Sequence, residues 1–304
     1  MEKKNNNLKP FFSIVIPTYN CADLLDRSLK SVFSQTFQDF EIIVVDNSSR
    51  DHTQDIIDSY SDSRLKVIIV QNNGIIARSR NLGIQKSIGE WIAFLDADDV
   101  WNFKKLEIVK KSIHQNQNSI LFCHDEWHVV NGKIKSRFRY GPAVPKMYEK
   151  LLFKGNCLSK SAVCLRRDIA NKTEGFSERG DFVTVEDYEF WIRLSKEGDF
   201  IFIDEVLGEW HTHNSNYSDN VIIHANAYIA VVEFHLNNWC LSNKISVRKM
   251  NNTLSNFYFK AGRILQKGEV FQPSIQYSWK AIKKNPFHLK AWITLSFSLL
   301  RVSY

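Results

Sequence analysis

Short apolar segments alternate with segments of helical periodicity through about the first hundred residues. The apolar segments are 11–17, 40–45, 65–70 and 91–95, and the helical segments between them are 22–34, 51–60 and 75–87. Strand–helix alternation of this kind is typical of a parallel sheet with right-handed crossover connections. The strands are apolar along nearly their whole length, which indicates that helices cover both faces of the sheet. The chain is therefore predicted to be an α/β protein.

The pattern changes after the fourth predicted strand. A Lys-rich amphipathic helix is predicted at 103–115, and a hairpin at 120–130 and 133–140 turns at Asn131-Gly132. The stretch 142–181 is rich in Gly, Lys and Arg with weak periodicity, which favours substrate-facing loops. The periodicity is helical from residue 222 onward. We expect an α/β domain over residues 1–220 and a helical C-terminal region over 221–304.

The charge balance favours anionic partners. The 304 residues include 40 Lys and Arg against 33 Asp and Glu, for a net charge of +7. An excess of this sign suits nucleotide diphosphates or an anionic membrane face. No recognisable nucleic-acid-binding motif accompanies the charge, so nucleic acid is not an expected partner.

Cysteine usage and the chain ends point to the cytoplasm. Five scattered cysteines fit neither a disulfide framework nor a zinc pattern. The segment 1–10 is Lys/Asn-rich and lacks the apolar core of a secretory signal. The apolar stretch 291–302 is too short to span a bilayer and is interrupted by Arg301. We expect a cytoplasmic protein, and peripheral contact with the inner face of the membrane stays open.

Three carboxylates follow the fourth predicted strand, in Asp96-Ala97-Asp98-Asp99, the acidic run. In isolation, an Asp-rich turn that caps the next helix explains them best. The alternative is an Asp-x-Asp site that offers oxygen atoms to Mg²⁺ or Mn²⁺, which in turn holds a diphosphate. Ligands of open α/β sheets bind at the carboxyl ends of the strands, where this run lies.

Polar residues also end the first two predicted strands. Thr18, Asp46 and Asn47 are expected to converge with Asp96 on one rim of the sheet. Such a set suits a nucleotide, but helix caps and turns at strand ends would produce the same pattern. We weigh the two interpretations equally on these residues alone.

Six segments of the chain form an ordered set of motifs: SIVIPTYN at 13–20, VVDNSSRD at 44–51, ARSRNLG at 77–83, FLDADD at 94–99, GF at 175–176 and EDYEFWIRL at 186–194. In this order they resemble the signatures of family 2 glycosyltransferases with the GT-A fold. The resemblance extends over about 11–218. It implies a Rossmann-like, mixed but mostly parallel sheet flanked by helices, with the C-terminal helices as an appendage.

The resemblance implies a nucleotide-binding role for five residues. Asp46 or Asn47 would hydrogen-bond the nucleobase, Thr18 would line the same pocket, and Asp96 would contact the ribose or support the site. Family members often carry two acids where this chain has Asp46 and Asn47; an amide both donates and accepts, so uracil remains compatible. Arg80 would face the nucleotide or its phosphates. The alternative is that Arg80 is a surface arginine of its helix with no role in the site. A UDP-sugar is the favoured donor.

The resemblance also divides the acidic run and assigns a metal. Asp98 would ligate Mn²⁺ or Mg²⁺, which offsets charge on the leaving diphosphate. For Asp99 we expect the N-cap of the following helix rather than a supporting role in the site.

A catalytic base is implied further along the chain. Glu186 and Asp187 open a predicted helix and could simply complement its dipole. In the family this pair supplies the base, and Asp187 is the matching residue; it would accept the proton of the acceptor hydroxyl. Trp191 is expected in the core rather than beneath an acceptor sugar.

The segment WHTHNSNYS at 210–218 resembles the family's Tyr-Arg-x-His-x-x-Asn-x-Ser pattern, with Trp210 and His211 as departures. His213 is the matching histidine and would contact the diphosphate, while His211 would be structural or accessory. A His-x-His pair also suggests zinc, but no third ligand stands at a suitable spacing.

These residues together predict an inverting, metal-dependent glycosyltransferase. It would move one sugar per encounter from a nucleotide-diphosphate sugar to a glycan or lipid-linked saccharide, since the Gln-x-x-Arg-Trp signature of processive synthases is absent. Two alternatives stay open: a sugar-nucleotide pyrophosphorylase, whose Gly-rich phosphate loop is missing here, and a catalytically silent binding protein with the same fold.

Overall fold

The structure, a computed structural model, describes residues 9–212, 220–242 and 246–303. The described strands are β1 Phe12–Thr18, β2 Phe40–Asp46, β3 Leu65–Ile69, β4 Trp91–Phe94, β5 Val100–Trp101, β6 Leu121–Val130, β7 Lys133–Phe138, β8 Val163–Arg166 and β9 Phe200–Thr212. The helices are α1 Ala22–Phe33, α2 Thr53–Asp58, α3 Ile76–Lys86, α4 Lys105–Gln115, α5 Met147–Lys154, α6 Arg167–Lys172, α7 Glu186–Leu194, α8 Val221–Ser242, α9 Val247–Lys267, α10 Phe271–Lys284 and α11 Leu289–Leu299. A short 3₁₀ helix spans Gly180–Phe182.

One mixed sheet contains all nine of these strands, in the order β3-β2-β1-β4-β8-β6-β9-β5, with β7 paired to β6. The first four strands are parallel neighbours, as the strand–helix alternation predicts. Beyond β4 the sheet turns mixed: β8 runs antiparallel to both β4 and β6, and β9 runs parallel to β6. Because β1, β2 and β4 point the same way, their carboxyl ends meet at one rim.

The interior strand β8 lies in the stretch 142–181, which the sequence predicts as loops. That prediction is wrong for α5, β8 and α6. The strand has only four residues and is followed at once by the charged start of α6, so its apolar signal is too short to separate from a loop. Its position between β4 and β6 is nevertheless central to the sheet.

Apolar side chains from both sides of the first strands form the core. One buried cluster includes Ile14, Ile16, Leu25, Leu29 and Val44. On another part of β1, α3 approaches so closely that a Cβ at Gly83 would lie 2.3 Å from Val15 Cγ1. Glycine is thus required at this position, and the tight contact fixes α3 against the sheet.

The described residues form two compact units. The first comprises the described parts of Met1–Tyr148, Asn156–Phe176 and Phe190–His213, and it holds the whole sheet. The second comprises those of Glu149–Gly155, Ser177–Glu189 and Asn214–Tyr304 and is helical. In the described parts of the chain, no helix combines the length and apolar character needed to cross a bilayer.

Candidate functional site

The ends of β1 and β2 bring three of the predicted residues together. Thr18 and Asp46 are partners in the strand register, and the Asn47 N–H donates to the Thr18 carbonyl at 3.0 Å. The Asp46 carboxylate accepts a 2.5 Å hydrogen bond from Ser49 Oγ. Asn47 Oδ1 accepts the Asn72 N–H at 2.8 Å. The adjacent turns thus hold the Asp46 and Asn47 side chains in place at this rim.

Arg80 is a buried cation paired with the first carboxylate of the acidic run. It is 1% exposed, so the alternative of a helix-surface arginine is wrong. Its Nη2 donates to Asp96 Oδ1 at 2.6 Å, and its guanidinium carbon lies 5.6 Å from the Phe176 ring centroid. Lys160 Nζ approaches Asp96 Oδ2 at 3.7 Å. Burial opposes ionisation of Asp96, but the charges of Arg80 and Lys160 outweigh it and lower the pKa of the carboxyl. Asp96 is therefore held as a carboxylate.

Helix α1 fixes the backbone of the acidic run. Arg27 Nη2 donates to the Asp98 carbonyl at 2.5 Å. Ser28 Oγ lies 2.7 Å from the Ala97 carbonyl and 2.6 Å from the Asp99 carbonyl, and the hydroxyl is fully buried. These hydrogen bonds reach backbone carbonyls. They therefore fix the shape of the turn whichever side chains it carries. The Asp98 side chain is half-buried.

Asp99 does not cap a helix, and this prediction is wrong. The next helix begins at Lys105, with Lys104 as the residue before it. Ser161 Oγ donates to Asp99 Oδ2 at 2.5 Å, and the His211 N–H donates to Oδ1 at 2.9 Å. Burial, together with the neighbouring carboxylates, raises the pKa of Asp99 well above its ordinary value. Asp99 is thus a buried structural group that ties β9 to the acidic run.

Ser161, which sequence reasoning missed, links the segment before β8 to the acidic run, to β5 and to α4. Its Oγ accepts the Asp96 N–H at 3.0 Å while donating to Asp99. Its carbonyl accepts Trp101 Nε1 at 2.8 Å and Lys105 Nζ at 3.2 Å. The residue precedes β8 in a stretch without clear periodicity, so only the strand order reveals its position.

A cluster of buried titratable side chains lies in the same unit, and nothing in the sequence predicts it. Lys105 is fully buried, its Nζ lies 3.2 Å from the Trp101 ring centroid, and burial lowers its pKa to about 8. Glu126 is also fully buried, and burial raises the pKa of its carboxyl to about 7. Tyr140 Oη donates to Glu126 Oε2 at 2.8 Å. Both charged forms are thus disfavoured by desolvation.

The predicted base lies at the start of α7. Asp187 is 8% exposed, and its Oδ1 accepts the N–H of Tyr188 at 2.8 Å. The Tyr188 ring stacks on Tyr228 at 5.1 Å, and its hydroxyl donates to the Leu151 carbonyl at 2.7 Å. These contacts anchor the backbone next to Asp187 within the second unit.

Glu189 and Trp191 of α7 are structural. Glu189 Oε1 lies 3.2 Å from His235 Nε2, and both side chains are buried. Trp191 is fully buried, with its ring 6.0 Å from Phe176 and 5.5 Å from Phe190. The expectation that Trp191 belongs to the core is confirmed.

The predicted site residues therefore fall into three groups. Those in the first unit lie at the sheet rim or beside it: Thr18, Asp46, Asn47, Arg80, Asp96 and Asp98. Asp187 belongs to the second unit. His213 lies outside the described residues. His211, expected to be structural or accessory, supplies the backbone N–H that holds Asp99.

The sequence of the chain is similar to those of known proteins. Residues 13–194 match the family described as Glycosyl transferase family 2. The chain is 31% identical over 212 residues to the Escherichia coli UDP-Glc:alpha-D-GlcNAc-diphosphoundecaprenol beta-1,3-glucosyltransferase WfgD, covering 68% of this chain and 79% of WfgD.

Solved structures share the fold at low sequence identity. S. aureus TarS in complex with UDP-GlcNAc superposes with a TM-score of 0.62 at 18% identity, covering 96% of this chain and 93% of the other. The mannosyltransferase PcManGT from Pyrobaculum calidifontis, in complex with GDP-Man and Mn²⁺, gives 0.60 at 14% identity, covering 97% and 86%. The fold predicted from the sequence, GT-A with helices around a mixed sheet, is confirmed.

Proposed function

Because the chain belongs to glycosyl transferase family 2 and is a glycosyltransferase, we propose that it transfers one sugar, with inversion, from a nucleotide-diphosphate sugar to a saccharide acceptor. The observation that carries the proposal is the acidic run at the carboxyl end of β4. Arg80 binds Asp96 and Ser161 binds Asp99, and these contacts fix the run at this rim. Asp98 is the residue of the run that matches the family's metal ligand, and the proposal assigns the chemical role to it.

The donor nucleotide would bind along the ends of β1 and β2. Asp46 or Asn47 would hydrogen-bond the base and Thr18 would line the pocket, a role that their shared position at the rim supports. Asp96 would face the ribose as a carboxylate, because Arg80 keeps it ionised. Arg80 would act mainly through Asp96, since its guanidinium is buried against that residue. We propose UDP as the nucleotide, because WfgD is named for a UDP-Glc donor.

The donor set of the acidic run fits a hard divalent cation. Among the described residues, no group of three or more His, Cys, Asp or Glu side chains is arranged to hold a metal. Magnesium and manganese sites in phosphoryl chemistry commonly use one or two carboxylates, with the substrate's phosphates completing the coordination. Asp98 would hold Mn²⁺ or Mg²⁺ in this way, and the cation, when bound, supplies positive charge to the leaving diphosphate.

Asp187 would act as the catalytic base. Asp187 is the residue that matches the family's base, and the Tyr188 N–H holds its carboxylate at the start of α7. It would take the hydroxyl's proton as the new glycosidic bond forms at the anomeric carbon and the bond to the diphosphate breaks. This single displacement inverts the configuration at that carbon. His213 would contact the diphosphate.

We propose a lipid-linked saccharide as acceptor and the cytoplasm, at the inner face of the membrane, as the location. The acceptor class follows the name of WfgD, which acts on a GlcNAc-diphosphoundecaprenol. The catalytic domain would occupy residues 1–220, and 221–304 would form a helical C-terminal region.

A thermal-shift panel tests the donor first. The full chain would be heated with UDP-, GDP-, ADP- and dTDP-sugars, each with and without Mn²⁺. We expect one nucleotide class to raise the melting temperature only when the metal is present. Incubation of the selected donor with lipid-linked saccharides should then release the nucleoside diphosphate in step with product. A folded chain that binds no nucleotide sugar would refute the proposal and favour a silent binding protein.

A further inference from the structure

The excess positive charge of the chain lies entirely in its C-terminal part. Residues 234–304 contain eleven of the forty Lys and Arg residues but only one of the thirty-three Asp and Glu residues, Glu269. Their net charge is +10, and the preceding 233 residues have a net charge of −3. The helices α10 and α11 and their connection follow Glu269 and hold Lys280, Lys283, Lys284 and Lys290.

Helix α11 has one buried face and, opposite it, an exposed face that is mostly apolar. Its inner face, at helical spacing, is buried within the second unit and comprises Ala291, Thr294, Leu295 and Ser298. The outer face of α11 comprises Leu289, Trp292, Ile293 and Ser296, all exposed, and continues into the exposed Leu300 that follows the helix. Leu289 is 74% exposed and Leu300 is 73% exposed. A helix that only covered a core would be polar on this side.

The exposed apolar surface continues into the turn before α11. Phe287 is 89% exposed. Trp292 Nε1 donates to the Pro286 carbonyl at 2.9 Å, which holds the indole against the turn. The Trp292 ring meets the exposed Trp279 of α10 edge-on, with centroids 5.7 Å apart. The two helices thus share one surface that combines aromatic, aliphatic and lysine side chains.

A basic concavity adjoins Phe287. It has a volume of about 650 Å³ and is lined by Arg248 and Lys284, with the exposed side chains of Val247 and Phe287 at its edge. Two cations in a recess bordered by exposed apolar groups suit a phosphate that is attached to hydrocarbon.

We infer that this surface, formed by the outer face of α11, Trp279, Phe287 and the concavity at Arg248 and Lys284, docks on an anionic lipid membrane. The positive charge matches anionic head groups, and tryptophan and lysine are favoured at the level of the head groups. A second copy of the chain would present the same positive charge to this surface and be repelled. The inference deepens the membrane location proposed above and rests on it for the choice of partner, while the docking surface itself is argued from the second unit alone.

Vesicle sedimentation tests the inference without any turnover. The full chain would be mixed with vesicles of phosphatidylcholine alone, or of equal parts phosphatidylcholine and phosphatidylglycerol. We expect sedimentation with the anionic vesicles only, weakened by added salt, with a blue shift of tryptophan emission. The double variant Leu289→Ser/Ile293→Ser should lower the binding constant at least about tenfold, since both side chains leave water on docking. Arg248→Ala/Lys284→Ala should lower it about ten- to thirtyfold.

Matched control variants remove the same chemistry from the first unit. Ile69→Ser/Ile134→Ser replaces two exposed isoleucines there, and Lys133→Ala/Lys135→Ala removes two exposed lysines of β7. Both should bind like the parent chain. The inference is overturned if the parent does not sediment with anionic vesicles, or if the α11 variants bind as the parent does. It is also overturned if the parent is a dimer that the α11 variant dissociates, which would assign the surface to a second copy.

Discussion

Two acidic segments, the acidic run after β4 and the run Glu186–Glu189 that opens α7, have similar composition but are built differently. In the first, Arg80 and Lys160 hold Asp96 ionised, while desolvation favours the protonated form of Asp99. In the second, Asp187 accepts a backbone N–H and Glu189 faces a buried histidine. In each run, then, at least one carboxylate has a structural partner and another is assigned to the chemistry.

The difference teaches that an acidic motif does not assign roles by itself. The neighbours decide which carboxylate supports the fold and which one serves the reaction. Substitution of the residues assigned to the chemistry, Asp98 and Asp187, should therefore lower activity more than stability. Substitution of the groups that support the two runs should lower stability first.

The largest effect is expected from Asp187→Asn. The amide keeps the volume but cannot accept a proton, so the transfer rate should fall about 10²- to 10⁴-fold. Nucleotide affinity and melting temperature should stay near those of the parent. The rate is measured as release of nucleoside diphosphate in the presence of acceptor. Undiminished turnover would remove Asp187 from the mechanism, and a collapse of the melting temperature would place it among the structural members.

Ser161→Ala should lower the free energy of unfolding by about 1 to 3 kcal/mol. The change leaves the Asp99 carboxyl and the Asp96 N–H without their buried hydroxyl partner. Urea unfolding measures it, with the exposed Ser61→Ala as a matched control that should change little. A variant as stable as the parent would show that Ser161 does not support the acidic run.

Glu126→Gln should flatten the pH dependence of stability by about 2 to 3 kcal/mol. Between the ordinary pKa of a glutamate and about 7, the folded chain retains a proton on Glu126 that the unfolded chain releases. The free energy of unfolding of the parent should therefore fall as pH rises through this interval, and the variant should lack that component. Melting curves from pH 4.5 to 8 measure it, with the exposed Glu205→Gln as control. Parallel curves for parent and Glu126→Gln would contradict a raised pKa.

The sequence predicts those parts of the molecule whose signal is local. The four parallel strands follow from their apolar runs. The hairpin of β6 and β7 follows from Asn131-Gly132, and both residues adopt the positive φ that such a turn requires. The grouping of the polar residues that follow β1, β2 and β4 is also predictable from the sequence, because parallel strands place their carboxyl ends together.

The parts that sequence reasoning missed depend on tertiary position. Ser161 supports the acidic run only because β8 lies beside β4, and nothing local in a four-residue strand indicates that neighbour. The residues next to Glu126 and Lys105 in the sequence give no sign that these charged side chains are buried. Their burial results from the tertiary packing around the sheet. Asp99 looked like a cap because its partners, Ser161 and the His211 N–H, are distant in sequence.

The central claim, that Asp98 binds the donor through a divalent cation, is tested most directly by calorimetry. The nucleoside diphosphate selected by thermal shift would be titrated into the parent and into Asp98→Ala, each with and without Mn²⁺. The account predicts that Mn²⁺ strengthens binding to the parent about tenfold or more, and that the variant binds equally weakly in both conditions. Equal affinity of the parent with and without Mn²⁺, or full metal enhancement in Asp98→Ala, would contradict it.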